Sequence, residues 1–111
     1  VHSIFASPLT GTILYQRQGG IITATINVSR PTAATVNGEF QIAGGIPTAW
    51  APSGGSMYFT MGVYPDIDGT DQVATTIICR HATSDPANIW GITRVAPMQR
   101  LRGSWAYKGS I

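Results

Sequence analysis

The chain has 111 residues, a formal net charge of +2 and a single cysteine, with 13 glycines, seven prolines and only 11% charged residues. That length holds one core, and a charge this small does not by itself imply a nucleic-acid partner. No apolar run approaches the length that spans a bilayer, and Cys79, inside Thr76-Ile77-Ile78-Cys79, has no partner for an internal disulfide or a metal cluster and reads as a small buried hydrophobe.

The chain begins at Val1 without a basic and apolar leader, which reads as a processed or excised piece of something longer. Residues 1–10 form a lead-in whose Ile4 and Phe5 cap the core or meet an upstream part. From Gly11 to Arg30 the spacing predicts a hairpin, with Gly19-Gly20 as its two-residue turn. That turn sets Arg17 opposite Ile22, Tyr15 opposite Ala24 and Ile13 opposite Ile26. Ile13, Tyr15, Ile22, Ala24, Ile26 and Val28 then share one apolar face.

Ser29-Arg30-Pro31-Thr32 is expected to break the sheet, and Asn37-Gly38 to turn it into a short strand, Glu39 to Ile42. The segment from Gly44 to Pro52 is irregular and pinned by two prolines, with Trp50 either plugging the sheet end or meeting a neighbouring chain. Met57 to Tyr64 alternates, with Met57, Phe59, Met61 and Val63 inward and Tyr58 and Thr60 outward. Pro65 to Asp71 reads as a polar loop, Val73 to Arg80 as a strand, His81 to Pro86 as a loop, and Asn88 to Val95 as a strand. Pro97 marks a break before the last strand, Gln99 to Lys108, where Trp105 is set on the buried side with Leu101 and Tyr107.

The expected fold is all-β: an antiparallel sandwich or jelly-roll-like barrel of about seven short strands with no substantial helix. Sparse charge leaves few side chains to blunt sheet edges, so the edges are expected to be covered by other copies of the chain.

Several residue groups carry candidate chemistry. Asp66-Ile67-Asp68-Gly69-Thr70-Asp71 resembles half of a calcium loop but lacks the downstream glutamate, so a solvated turn or the polar wall of a ligand site is the better reading and no metal is assigned. Arg80-His81-Ala82-Thr83-Ser84-Asp85 holds a hydroxyl, an imidazole and a carboxylate without a nucleophile elbow, which argues against a triad. Glu39 with an aspartate of the 66–71 loop is the one carboxylate pair open to glycosidase chemistry. Three tryptophans and four tyrosines supply ring faces for sugar C–H faces, and indole and phenol groups bond to hydroxyls. On the last strand Arg100, Arg102, Ser104, Ala106 and Lys108 share one face, read as solvated or as a row for an anionic polymer.

Three stretches resemble the C-terminal head domains of receptor-binding and tail-fibre proteins of bacteriophages, especially those of Gram-positive hosts such as lactococci. They are the opening hairpin from Gly11 to Thr23, the step Ile46-Pro47-Thr48-Ala49-Trp50-Ala51-Pro52, and the ending Leu101-Arg102-Gly103-Ser104-Trp105-Ala106-Tyr107. The resemblance runs from about residue 10 onward. It implies a β-sandwich head over 11–111, following a lead-in from an upstream stalk. It also implies a homotrimer in the virion, at a tail tip, fibre or baseplate, meeting other tail proteins there. The implied activity is adhesion to host cell-wall saccharide or glycerol-phosphate polymer, without catalysis or a cofactor. No ligand residues transfer from the family. From residue chemistry alone, Trp90, Arg80, His81, Asp66, Asp68 and Arg94 are the expected contacts. The alternatives are a structural trimerisation cap and, last, a glycan-active enzyme using Glu39.

Overall fold

The computed structural model describes residues 2–7, 9–53, 57–64, 75–82 and 84–109, with 31–37, 75, 82 and 93–98 described by backbone alone. Six strands make one antiparallel sheet: β1 (His2–Ala6), β2 (Thr10–Gln18), β3 (Ile21–Ala43), β4 (Met57–Tyr64), β5 (Thr75–Ala82) and β6 (Asp85–Lys108). A single turn of 3-10 helix, Thr48–Trp50, is the only helical element among the described residues, and no helix there is long and apolar enough to cross a membrane. The all-β antiparallel class expected from the sequence is what the chain adopts.

The strand inventory differs from expectation. Two strands, β3 with 23 residues and β6 with 24, replace four or more short ones. Each bends and serves twice. The first half of β3 pairs with the second half of β6, which also meets β4; β4 pairs with β5, β5 with the first half of β6, and that half with the end of β3. Eight strand segments therefore curl into a half-barrel. Backbone bonds from Leu9 N–H to Ile42 C=O (3.4 Å) and from Gly44 N–H to Ser7 C=O (2.9 Å) bring the end of β3 back to the β1–β2 corner.

The expected breaks become bulges. Between Ser29 and Ala34 on β3, five residues advance against two on β6, from Arg100 to Met98, so the segment around Pro31 bends the pairing without ending it. Gly38 has φ +100°, a conformation that costs a side-chain-bearing residue energy, and it marks the second register shift. His81, read from sequence as a loop residue, lies inside β5.

The opening hairpin has the expected register throughout, including Tyr15 opposite Ala24 and Arg17 opposite Ile22. All six of its apolar-face residues are buried, and Leu101, Trp105, Tyr107, Met61, Val63, Ile77 and Cys79 complete the interior. Each fully buried aliphatic side chain contributes about 1.5–3 kcal/mol of favourable transfer free energy. One end of the half-barrel is plugged by Thr48–Trp50. Trp50 stacks on His2 at 5.0 Å and nearly parallel, the Arg17 guanidinium lies 5.3 Å from its ring centroid, and the Tyr107 hydroxyl donates to its carbonyl. This is the packing of a plug at the sheet end, one of the two roles open to Trp50.

Candidate functional site

The outer face of β4, β5, the first half of β6 and the end of β3 carries the exposed Tyr58 and, half-buried beside it, Arg80, Trp90 and Gln41. Period-two alternation puts Phe59, Cys79, Ile89 and Gly91 toward the interior and leaves their strand neighbours on the outer side; at the end of β3 a register shift buries Ile42 and Ala43 together. Register then aligns the outward residues in rows. Tyr58 is opposite Arg80, Arg80 opposite Trp90, and Trp90 opposite Gln41. The adjacent row is Thr60, Ile78, Ile92 and Glu39. At the spacing of hydrogen-bonded strands, a four-strand row spans roughly 14 Å.

Hydrogen bonds fix these side chains. Arg80 donates from Nε (3.0 Å) and Nη2 (2.6 Å) to the same Glu39 oxygen, an exposed pair that raises the guanidinium pKa further. The Trp90 indole N–H donates to Asp85 Oδ2 at 3.0 Å, Asn88 Nδ2 donates to Asp85 Oδ1, and Gln41 Nε2 donates to Asn88 Oδ1 at 2.7 Å. The donors of Trp90 and Asn88 hold the Asp85 carboxyl below its ordinary range. The indole N–H bond to Asp85 sets the orientation of the half-buried Trp90 ring. Tyr58 is 60% exposed, and Ile78 and Ile92 are 53% and 40% exposed.

Of the residues expected from sequence, Trp90 and Arg80 come together here. His81 does not. It faces inward with no exposed surface, its Nδ1 3.0 Å from the Pro86 carbonyl and its ring among Phe59, Trp105 and Tyr107 at 5.8–6.0 Å between centroids. A strand end read as a contact loop is instead a β-strand, and the strand's alternation buries the imidazole. Burial pushes its pKa down to about 4, so it is neutral at pH 7. Asp66 and Asp68 lie outside the described residues, as does the rest of the 66–71 loop; Arg94 lies on β6, with its side chain outside the described set. Among the described residues, no three of His, Cys, Asp and Glu gather as a metal site.

Tyr58, Gln41, Asn88 and Asp85 were not singled out from sequence as contacts. The available signal was Tyr58 on the outward side of the Met57–Tyr64 alternation; the two amides carry none, because their role comes from pairing between strands far apart in the chain. Glu39, considered for catalysis, pairs with Arg80.

A second outer face, on β2, the first half of β3 and the second half of β6, carries Arg102, Ser104, Ala106 and Lys108 exposed, as the alternation implied. Arg102 lies 5.6 Å from the Tyr64 ring centroid, and Arg100 donates to Asn27 Oδ1.

Together the features define an all-β chain with a curled antiparallel sheet and a polar-aromatic outer face. Comparison with models of known protein families, with curated proteins and with solved structures finds no match.

Proposed function

We propose that the chain is a non-catalytic adhesion module that binds surface saccharide on the outer face of β3, β4, β5 and β6. The observation that carries this reading is the register-aligned row Tyr58, Arg80, Trp90 and Gln41, braced by Glu39, Asp85 and Asn88. Aromatic rings beside planar hydrogen-bonding groups suit a sugar, whose C–H faces stack while its hydroxyls bond at the edge. The resemblance to phage receptor-binding heads supports the same reading, and with it a virion location, a homotrimer on an upstream stalk, contacts with other tail proteins, and a host cell-wall ligand. Weak individual sites on several copies would gain strength from avidity.

The structural-cap reading draws on Ile78 and Ile92, exposed neighbours on the same face that a second copy would cover. A glycan array and purified cell-wall polymer, screened with wild type and Trp90→Ala while mass in solution is recorded, separate the two. Saturable binding that Trp90→Ala abolishes supports adhesion; a trimer that binds nothing supports the cap, and a monomer that binds nothing removes both.

A further inference from the structure

We infer that β1 is a pairing edge whose occupant is the β1 of a second copy of this chain, antiparallel to it and related by a two-fold axis. The inference goes beyond the saccharide reading and does not rest on it, because β1 takes no part in the outer face of β3, β4, β5 and β6.

The curled sheet has two edges, β1 and the end of β3, and they differ. The end of β3 carries the devices that keep an edge from pairing further. It has register shifts before Gly38 and after Gln41, the positive φ of Gly38 and the charge of Glu39, and its corner is covered by the bonds of Ile42 C=O to Leu9 and of Gly44 N–H to Ser7. β1 has none of them. His2-Ser3-Ile4-Phe5-Ala6 contains no Asp, Glu, Lys or Arg and no proline or glycine, and it runs against β2 in unbroken register. Among the described residues, no backbone hydrogen bond joins β1 to anything but β2, so the outward N–H and C=O groups of its alternate residues are available to another strand.

The strand is also complementary to itself. An antiparallel self-pairing that engages all five residues has one register, with Ile4 opposite its own copy. It sets Ser3 opposite Phe5 and His2 opposite Ala6, so on each face a small side chain meets a large one, and no like charges meet. Phe5 is 89% exposed, and its direct neighbour on β2 is Thr12; Leu14, opposite Ser3 on β2, is 40% exposed. In the paired state the Phe5 ring lies beside the second copy's Ser3, with that copy's Leu14 next in the row, which is apolar surface that Thr12 does not offer. Such a contact is isologous and closes at two copies, which sets it apart from the three-fold contact of the trimer proposed above. Two five-residue strands and two phenylalanines bury far less than the roughly 1,600 Å² of a standard interface, so the association is weak and shows itself at high protein concentration.

Sedimentation of the whole chain in a concentration series reaching about 1 mM is expected to show the mass doubling from its dilute value. Phe5→Lys, which removes the apolar contact and places a lysine on the edge, is expected to weaken that association about tenfold or more. Mild oxidation tests the register. Cys79 is buried, so Ile4→Cys and Ser3→Cys each supply one accessible thiol. Directly opposite residues of an antiparallel pair lie within disulfide range and diagonal ones do not, so Ile4→Cys is expected to form a covalent dimer faster than Ser3→Cys, although Ser3 is the more exposed. Faster crosslinking through Ser3→Cys, the order that random collision gives, overturns the inference. So does a wild-type mass that keeps its dilute value throughout the series, or a doubling that Phe5→Lys leaves unchanged. The wild-type series needs no substitution, so a variant that fails to fold leaves the test standing.

Discussion

Arg80 and Trp90 stand directly opposite each other on β5 and β6, the guanidinium held by Glu39 and the indole by Asp85. One residue further along β5, His81 points to the other side of the sheet and has no exposed surface. A single strand thus carries part of the candidate site on one face and a buried imidazole on the other, and the two can be perturbed separately.

Asp85 orients the site without supplying its rings. Asp85→Ala releases the Trp90 indole and the Asn88 amide, and saccharide affinity is expected to fall about tenfold with little change in melting temperature. The loss comes from the two hydrogen bonds that Asp85 accepts, from the Asn88 amide and the Trp90 indole. Parallel calorimetry and thermal melts check it; a collapse in stability with affinity preserved would contradict it.

His81 makes stability pH-dependent. Its folded pKa of about 4 lies below the ordinary 6.5, so between those values the unfolded chain binds a proton that the folded chain excludes. Stability is full above pH 6.5, falls as the pH drops toward 4, and changes no further from this group below that; the window is worth about 3 kcal/mol. Asp85, with its lowered pKa, adds a loss of the same sign only at lower pH. Urea unfolding at pH 7 and near pH 4 is expected to show the drop in wild type and a flatter profile in His81→Phe. A wild-type midpoint that does not move across this window would contradict it.

The hairpin from Gly11 to Arg30 was fully legible, because strict alternation and a Gly-Gly turn admit one register. The long strands were not. Pro31, Asn37-Gly38 and Pro97 are strand breakers locally, yet pairing between β3 and β6 on either side of them outweighs the local preference: the first two become register shifts, and Pro97 pairs with Thr35 in unbroken register. Two of the six residues of the candidate face were legible. Trp90 and Arg80 stand out by residue type, whereas Gln41, Tyr58, Asp85 and Asn88 gain meaning only once four strands are in register. His81 misled because Arg80 to Pro86 is rich in turn formers, and the parity that buries the imidazole depends on a strand continuing past Arg80.

Two tyrosines in the interior offer a matched pair of tests. The Tyr15 hydroxyl is buried with no hydrogen-bond partner among the described residues, while that of Tyr107 donates to the Trp50 carbonyl and helps hold the plug. Tyr15→Phe is expected to be neutral or to stabilise by up to about 1 kcal/mol, and Tyr107→Phe to destabilise by about 1 kcal/mol. Denaturation midpoints in the reverse order would contradict this assignment.

Gly11 on β2 pairs with Val28 on β3. Its φ is +154°, and a Cβ built there would lie 2.1 Å from the Asn27 carbonyl oxygen, a backbone atom that cannot step aside. Gly11→Ala is expected to cost about 3 kcal/mol or more, read as a large loss of denaturation midpoint or as failure to fold. A midpoint within about 0.5 kcal/mol of wild type would contradict this close approach.

The most direct measurement is a map of backbone and indole N–H chemical shifts as the protein is saturated with the saccharide that binds best. The expected result is a contiguous set of changes at Tyr58, Arg80, Gln41 and the Trp90 indole, with the β2 face undisturbed. Changes confined to the face of Arg102 and Lys108, or no changes at saturation of any saccharide, would contradict a binding site on the outer face of β3, β4, β5 and β6.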